Sequence, residues 1–336
     1  MSDTNTTNED KDHFAHLIGQ KKLKAQLRFY LNSFRETQIL PTILLVGGRG
    51  SGKTEFAVSL ARNLRLDAIG GRPKPLLTVN SSTVKNVRQF VEDIVLKYIN
   101  DQTLTVFFDE CHALPESVQT SLLTILNPNK KNSNLFRYED SEILFDFKKV
   151  SFVFATTDPQ KLVGPFKDRC RILHMDEYEY GDLGKIVREN LDEGLEIPED
   201  VMAHVASVCR GNARNAVLMA KDNIVQYMKG GKVSKLCQRH WESLCEVLGI
   251  MPMGLESSEV QVLKALSEFP TGCSLNNLSA KTGFTRQAIM LEFESYLVKR
   301  GLMQIKAGGR EITANGKEYL RKYVFKTQGG FTDATA

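Results

Sequence analysis

The run Gly47-Gly48-Arg49-Gly50-Ser51-Gly52-Lys53-Thr54 has the spacing GxxxxGK[ST], follows the apolar Ile43-Leu44-Leu45-Val46 and precedes a helix-like stretch beginning at Glu55. Residues of these types in this order bind phosphate. The glycines let backbone N–H groups curl around phosphate oxygens, the helix that follows adds its positive end, the lysine reaches the β- and γ-phosphates and the hydroxyl ligates magnesium. In that reading Gly47, Gly48, Arg49, Gly50, Ser51, Gly52, Lys53, Thr54 and the adjoining Glu55 hold ATP, and Thr54 helps to hold Mg2+. A second apolar run, Leu104 to Phe108, ends in Asp109-Glu110. Asp109 can support the same magnesium while Glu110 polarises a water for attack on the γ-phosphate. On its own such a pair is usually a solvated turn; the phosphate loop upstream favours the chemical role. A third run, Ser151 to Ala155, leads into Thr156-Thr157-Asp158. Thr157 in the first place, and Thr156 beside it, can orient the attacking water, although hydroxyls also cap strand ends.

These groups need elements to bring them together. The expected strands are Thr42 to Val46, Leu76 to Val79, Leu104 to Phe108, Ser151 to Thr156 and Arg171 to His174, with helical patterns such as Lys53 to Leu64 and Pro115 to Leu126 between them. Alternation of this kind implies a parallel five-stranded sheet covered on both faces, whose carboxyl edge collects the three motifs. From Tyr178 to about Gly249 the pattern is helical, and from near Pro252 two short helices and a hairpin follow. The division expected is a tail at 1–12, an α/β nucleotide-binding domain at 13–177, an all-α lid at 178–250, a third domain at 251–326 and a tail at 327–336.

Composition agrees with this layout. The chain has 336 residues, 42% hydrophobic and 25% charged, enough for two or three globular domains and unlike disordered, collagen-like or coiled-coil chains. No apolar run approaches the roughly 20 residues of a membrane helix, and 1–11 lacks a signal-peptide core, so a cytoplasmic protein without membrane contact is expected. The six cysteines are scattered, as free thiols of a reducing compartment would be. Cys237, His240 and Cys245 lie close together, but no second pair closes a tetrahedral zinc site.

The last segment reads as a winged helix. Ser274 to Lys281 is a short helix and Gly283-Phe284 a turn; Thr285 caps a helix with Ile289, Phe293, Tyr296 and Leu297 on one face, and Gly301 stops it. Leu302 to Lys306 then pairs with Arg310 to Thr313 across Gly308-Gly309 as a wing. The net charge is +4 over the whole chain and +3 over 251–336. Arg286, Lys306 and Arg310 are the expected DNA contacts, although a solvated basic face would look the same.

Taken together, these motifs resemble the AAA+ ATPases, and among them the RuvB family of Holliday-junction branch-migration motors, from Phe14 to about Tyr323. Leu17-Ile18-Gly19-Gln20 is similar to the family's IGQ segment, which lies by the adenine and adds Ile18 to the ATP set. The GGRGSGKT loop, the DECH at 109–112 and Ala155-Thr156-Thr157 resemble its GPPGLGKT, DE-x-H and ATT. Gly164 to Arg169 looks like S-P-L-R-D-R, which implies that Arg169 is the finger reaching a neighbouring subunit's γ-phosphate. Tyr178 matches the tyrosine that packs on the nucleotide, and Gly211-Asn212-Ala213-Arg214 resembles G-T-P-R, so Arg214 is the expected second sensor. Leu244 to Ile250 and Gly254-Leu255-Glu256 are similar to the family's link into its winged helix, which clamp loaders lack.

The resemblance implies a homo-hexameric ATP- and Mg2+-dependent motor moving duplex DNA or four-way junctions. Two departures stand out. Ile305 replaces the first wing arginine, leaving Lys306 as its substitute. In 127–149 the M-I-G-x-G-P-x-A-R-S run is absent, so a RuvA-like partner is not implied by a matching motif, although an alternating Leu135 to Phe147 still suggests a hairpin. The alternatives are a clamp or helicase loader and an ATP-switched DNA-binding regulator.

Overall fold

The structure is a computed structural model and describes residues 13–65, 71–100, 102–126, 133–138, 141–147 and 149–325. Both expected tails, 1–12 and 327–336, lie outside the described residues. The described chain packs as two compact units: one holds the residues through Ile186 together with Gly211–Asn215, the other Val187–Arg210 with the residues from Ala216 onward.

The first unit is built on strands β1 (Ile43–Val46), β2 (Leu76–Asn80), β3 (Thr105–Asp109), β6 (Ser151–Thr156) and β7 (Arg171–His174). The hairpin strands β4 (Ser133–Tyr138) and β5 (Ser141–Asp146) intervene in the chain and pair antiparallel, Phe136 opposite Ile143. The five-stranded sheet is parallel throughout, in the order β2-β3-β6-β1-β7. All five expected strands form, each within one residue of its expected end. The three central strands were readable because a sheet buried on both faces demands continuous apolar runs. β1 and β6 are buried over their whole lengths, as is β3 up to Phe108.

Alternate residues feed two cores. Leu44, Val46, Val106, Phe108, Phe152 and Phe154 pack with Phe90, Val118, Leu122 and Phe166. Ile43, Leu45, Phe107, Val153 and Ala155 pack against Phe56 and Leu60 and against Leu23, Leu27, Leu31 and Phe34 of the helix Lys21–Thr37. Each such large side chain contributes about 1.5–3 kcal/mol on burial. Because β6 lies between β3 and β1, the loops leaving these three strands share one carboxyl edge.

Lys74 is 5% exposed in this unit, donates to Ser151 Oγ at 2.8 Å and lies 5.4 Å from the centre of the Phe34 ring. Burial pulls its pKa from 10.5 down to about 8. Between those values the unfolded chain holds a proton that the folded chain has lost, so this residue's contribution to stability rises with pH across that window. Lys74→Met is therefore expected to stabilise the protein by roughly 1–3 kcal/mol at neutral pH, with the advantage closing toward pH 10.5. Denaturant unfolding of both proteins at neutral and alkaline pH checks this; a constant difference would refute it.

The second unit contains the helices Glu199–Val208 and Gln238–Leu248, the latter burying Trp241, the only tryptophan, at 4% exposure. It also contains the C-terminal winged helix. Ser274 Oγ and Thr285 Oγ1 accept from the N–H groups of Asn277 and Ala288, capping the two expected helices. Ile289, Phe293 and Leu297 are buried in a core with Leu263, Leu266, Leu278 and Leu320. The wing strands are β8 (Met303–Lys306) and β9 (Gly309–Ile312). Lys306 pairs with Gly309, so the turn is Ala307-Gly308, one residue earlier than expected. Cys273 bridges Arg310 on β9, and a Cβ on Gly309 would fall 2.4 Å from Cys273 O, which is why a glycine stands there.

In the same unit Arg210, at φ +59°, sends its guanidinium onto Glu259, 2.8 and 3.2 Å away, and over the ring of Tyr296 at 3.6 Å. Glu259 is 1% exposed and also accepts from the Glu256 N–H in the capping box of the helix Ser257–Ser267. Desolvation raises the Glu259 pKa, opposed by that backbone hydrogen bond and by Arg210.

Candidate nucleotide site

The loop 47–52 leaves β1 and enters the helix Lys53–Asn63 with Gly50 and Gly52 at φ +70° and +93°, conformations that favour glycine. A Cβ on Gly48 would meet nothing within 4 Å, so the loop has an open face there. Lys53 is 6% exposed, and its ammonium donates to Gly47 O and Gly48 O at 3.0 and 2.9 Å. Burial pulls its pKa below the ordinary range, the Glu110 and Asp109 carboxylates oppose that, and Arg214 and Arg49 add to it. Those four charged groups therefore all act on the Lys53 ammonium. An anion there would relieve the desolvated ammonium.

Thr54 Oγ1 donates to Asp109 Oδ2 at 3.0 Å, bringing together two hard oxygen donors of the kind that suit Mg2+. The other Asp109 oxygen accepts from the Glu110 N–H at 3.0 Å. Glu110 stands at φ +50°, ψ +49°, a conformation that costs a residue with a side chain on the order of 1 kcal/mol. Its Oε2 accepts from Thr157 Oγ1 at 3.0 Å and from the Thr157 N–H at 3.3 Å. His112, not singled out as a site residue beforehand, lies with Nδ1 3.0 Å from Thr156 Oγ1 and 3.2 Å from Glu110 Oε2. The signal for it was its place two residues after Glu110 in DECH.

Tyr178 is 8% exposed, its hydroxyl donates to Ser51 O at 3.1 Å, and burial pushes its pKa up to about 12. A Cβ on Gly19 would lie 3.0 Å from its ring, so the Gly19 turn packs on the tyrosine beside half-buried Ile18. Gln20 fastens that segment by exchanging two hydrogen bonds with the Asp176 backbone. Arg214 donates its backbone N–H to Gly50 O at 3.2 Å. Arg49 and Glu55 are exposed. Arg169 Nη1 donates to Pro165 O at 2.9 Å at the end of the helix Gly164–Asp168.

The expected DNA contacts divide. Arg310 is paired with Glu294 through two hydrogen bonds of 2.6 and 3.2 Å, with side chains only 17% and 8% exposed. Its guanidinium is thus anchored within the fold. Lys306 pairs with Glu311 at 2.7 Å, which holds that carboxyl below its usual range. Arg286 makes a 3.3 Å hydrogen bond to Asn276, a neutral partner.

The parallel sheet, phosphate loop and strand-end carboxylates define a P-loop ATPase of the AAA type, and residues 43–176 match the family model "ATPase family associated with various cellular activities (AAA)". Residues 252–321 match the RuvB C-terminal winged helix domain. Similar proteins named Holliday junction branch migration complex subunit RuvB occur in Mycoplasmopsis pulmonis, at 26% identity over 92% of this chain and 96% of that one. Another in Lactococcus lactis subsp. lactis is 25% identical over 94% and 92%. The solved Thermotoga maritima RuvB Holliday junction branch migration motor has a similar fold, with a TM-score of 0.72 at 22% identity over 93% of this chain and 97% of that one. The chain is a divergent member of the RuvB family of AAA+ ATPases. Among the described residues no helix is long and apolar enough to cross a membrane.

Proposed function

We propose that this chain is an ATP-driven DNA motor that moves the branch point of four-way junctions, working in the cytoplasm as a homo-hexameric ring. The observation that carries the reading is the gathering of Lys53, Thr54, Asp109, Glu110, Thr157 and Arg214 around one loop in a chain that also has a RuvB-type winged helix. The loop N–H groups and Lys53 hold the phosphates, with Tyr178 and Ile18 beside the nucleotide. Thr54 and Asp109 hold Mg2+, which when bound offsets phosphate charge. Glu110 takes a proton from the attacking water, and Thr157 orients its carboxylate. Arg214 senses the γ-phosphate from the start of the lid. Nucleotide binding, lid and DNA binding are assigned to 13–177, 178–250 and 251–326.

Arg286, Lys306 and Arg310 meet the DNA backbone, so movement need not depend on sequence. The test is ATP-dependent branch migration of synthetic four-way junctions, with and without a RuvA protein. Junction movement abolished by Lys53→Ala is expected. DNA-stimulated hydrolysis without movement of any branched substrate would turn the reading toward a loader or a switched regulator.

Arg169 acts across subunits in this reading. Mixing Arg169→Ala subunits into wild-type rings is expected to silence neighbouring sites, the pure variant losing about 10³-fold or more in turnover. Activity falling only in proportion to the variant added would refute a role in trans.

A further inference from the structure

Two loop carbonyls are held by the short segment 212–214. Asn212 Nδ2 donates to Arg49 O at 2.8 Å, and the Arg214 N–H donates to Gly50 O at 3.2 Å. The Asn212 side chain is fixed from its own side as well, since its Oδ1 accepts the Asn215 N–H at 3.2 Å in the first turn of the helix Ala213–Leu218. Chemistry settles which way the amide faces: a backbone N–H can only donate and a backbone carbonyl can only accept, so oxygen meets Asn215 and nitrogen meets Arg49. The amide is seated directly on Gly50, where an added Cβ would fall 2.2 Å from Asn212 Oδ1.

A peptide unit is planar and trans, so holding the carbonyl of one residue turns the N–H of the next to the opposite side. With Arg49 O and Gly50 O both drawn to 212–214, the N–H groups of Gly50 and Ser51 face away from that segment. Among the described residues the Ser51 N–H makes a long 3.4 Å contact to Gly48 O. Backbone donors aligned in this way are what a phosphate loop offers an anion.

We propose that Asn212 is a positioning residue for ATP. It sets the orientation of the Arg49–Gly50 and Gly50–Ser51 peptides, so that their N–H groups are presented to phosphate oxygens before the nucleotide arrives. The inference rests on the reading of 47–54 as the ATP loop. Where the similar G-T-P-R has threonine, this chain has a side chain with an acceptor for the helix and a donor for the loop. Serine or threonine retains the acceptor for the Asn215 N–H but is too short to reach Arg49 O. Aspartate reaches it with an oxygen that cannot donate.

The test compares Asn212→Ser and Asn212→Asp with wild type in three measurements: affinity for a fluorescent ATP analogue, the steady-state KM and kcat for ATP, and the thermal unfolding midpoint. Losing one preorganising hydrogen bond should raise Kd and KM by about 5- to 20-fold, with kcat within about threefold and unfolding unchanged for the capping serine variant. If Asn212 only caps its helix, Asn212→Ser will bind and turn over ATP like wild type, and that result overturns the proposal. Restored affinity in Asn212→Gln would support it, because that side chain again carries both groups. A wild-type protein that binds no ATP overturns the ATP-loop reading and this inference together; normal wild-type binding with unaffected variants overturns this inference alone.

Discussion

Glu110→Gln is expected to slow ATP turnover by about 10²–10⁴-fold while leaving nucleotide affinity within a few-fold of wild type. Glutamine keeps the size of the side chain and an oxygen that can accept from Thr157 Oγ1 and from its N–H, the two contacts that hold the carboxylate. It cannot take a proton from water. The backbone there is already in the left-handed region at φ +50°, held by the Asp109 carboxylate accepting the Glu110 N–H, and neither feature depends on the charge being removed. The variant thus separates the proton-accepting role from the structural one. Single-turnover hydrolysis beside equilibrium binding is the measurement, and a loss of less than tenfold would assign proton abstraction to another group.

Arg210→Ala is expected to cost the second unit about 3–5 kcal/mol, the scale for orphaning a buried charge. Glu259 is 1% exposed, and Arg210 is the cation bonded to both of its oxygens. Truncation also strips the guanidinium from the Tyr296 face. The raised pKa of Glu259 sets the sign of the pH effect: without Arg210 the folded state favours the protonated acid still more strongly. The variant's deficit should therefore shrink on acidification. Adding Glu259→Gln should recover part of the loss, because a neutral amide replaces the unpaired carboxylate. Urea unfolding followed by far-UV circular dichroism measures all three proteins; a deficit below about 1 kcal/mol would mean that water reaches Glu259.

The legible parts of this molecule were those written in contiguous residues. The strands announced themselves as apolar runs, and the loop Gly47 to Thr54 and the pair Asp109-Glu110 sat at strand ends where a parallel sheet must gather them. The winged helix was readable from Thr285, Gly301 and the alternating wing. What escaped were pairings across sequence distance. Nothing near Arg310 says that Glu294, on the preceding helix, will pair with it. Nothing near Gly309 says that Cys273 will lie alongside. The Asn212 amide meets a loop more than 160 residues earlier, and only coordinates show that its two ends have different partners. Local spacing predicts which chemistry is present; tertiary pairing decides which of those groups are left to perform it.

Trp241 gives the chain an optical asymmetry. As the sole indole, buried at 4% exposure in the second unit, it makes intrinsic emission a local signal. The backbone dichroism of the same sample sums both units. Emission and dichroism transitions that fail to coincide would therefore identify two cooperative blocks melting separately, and the gap between them would measure how independently the nucleotide-binding unit unfolds.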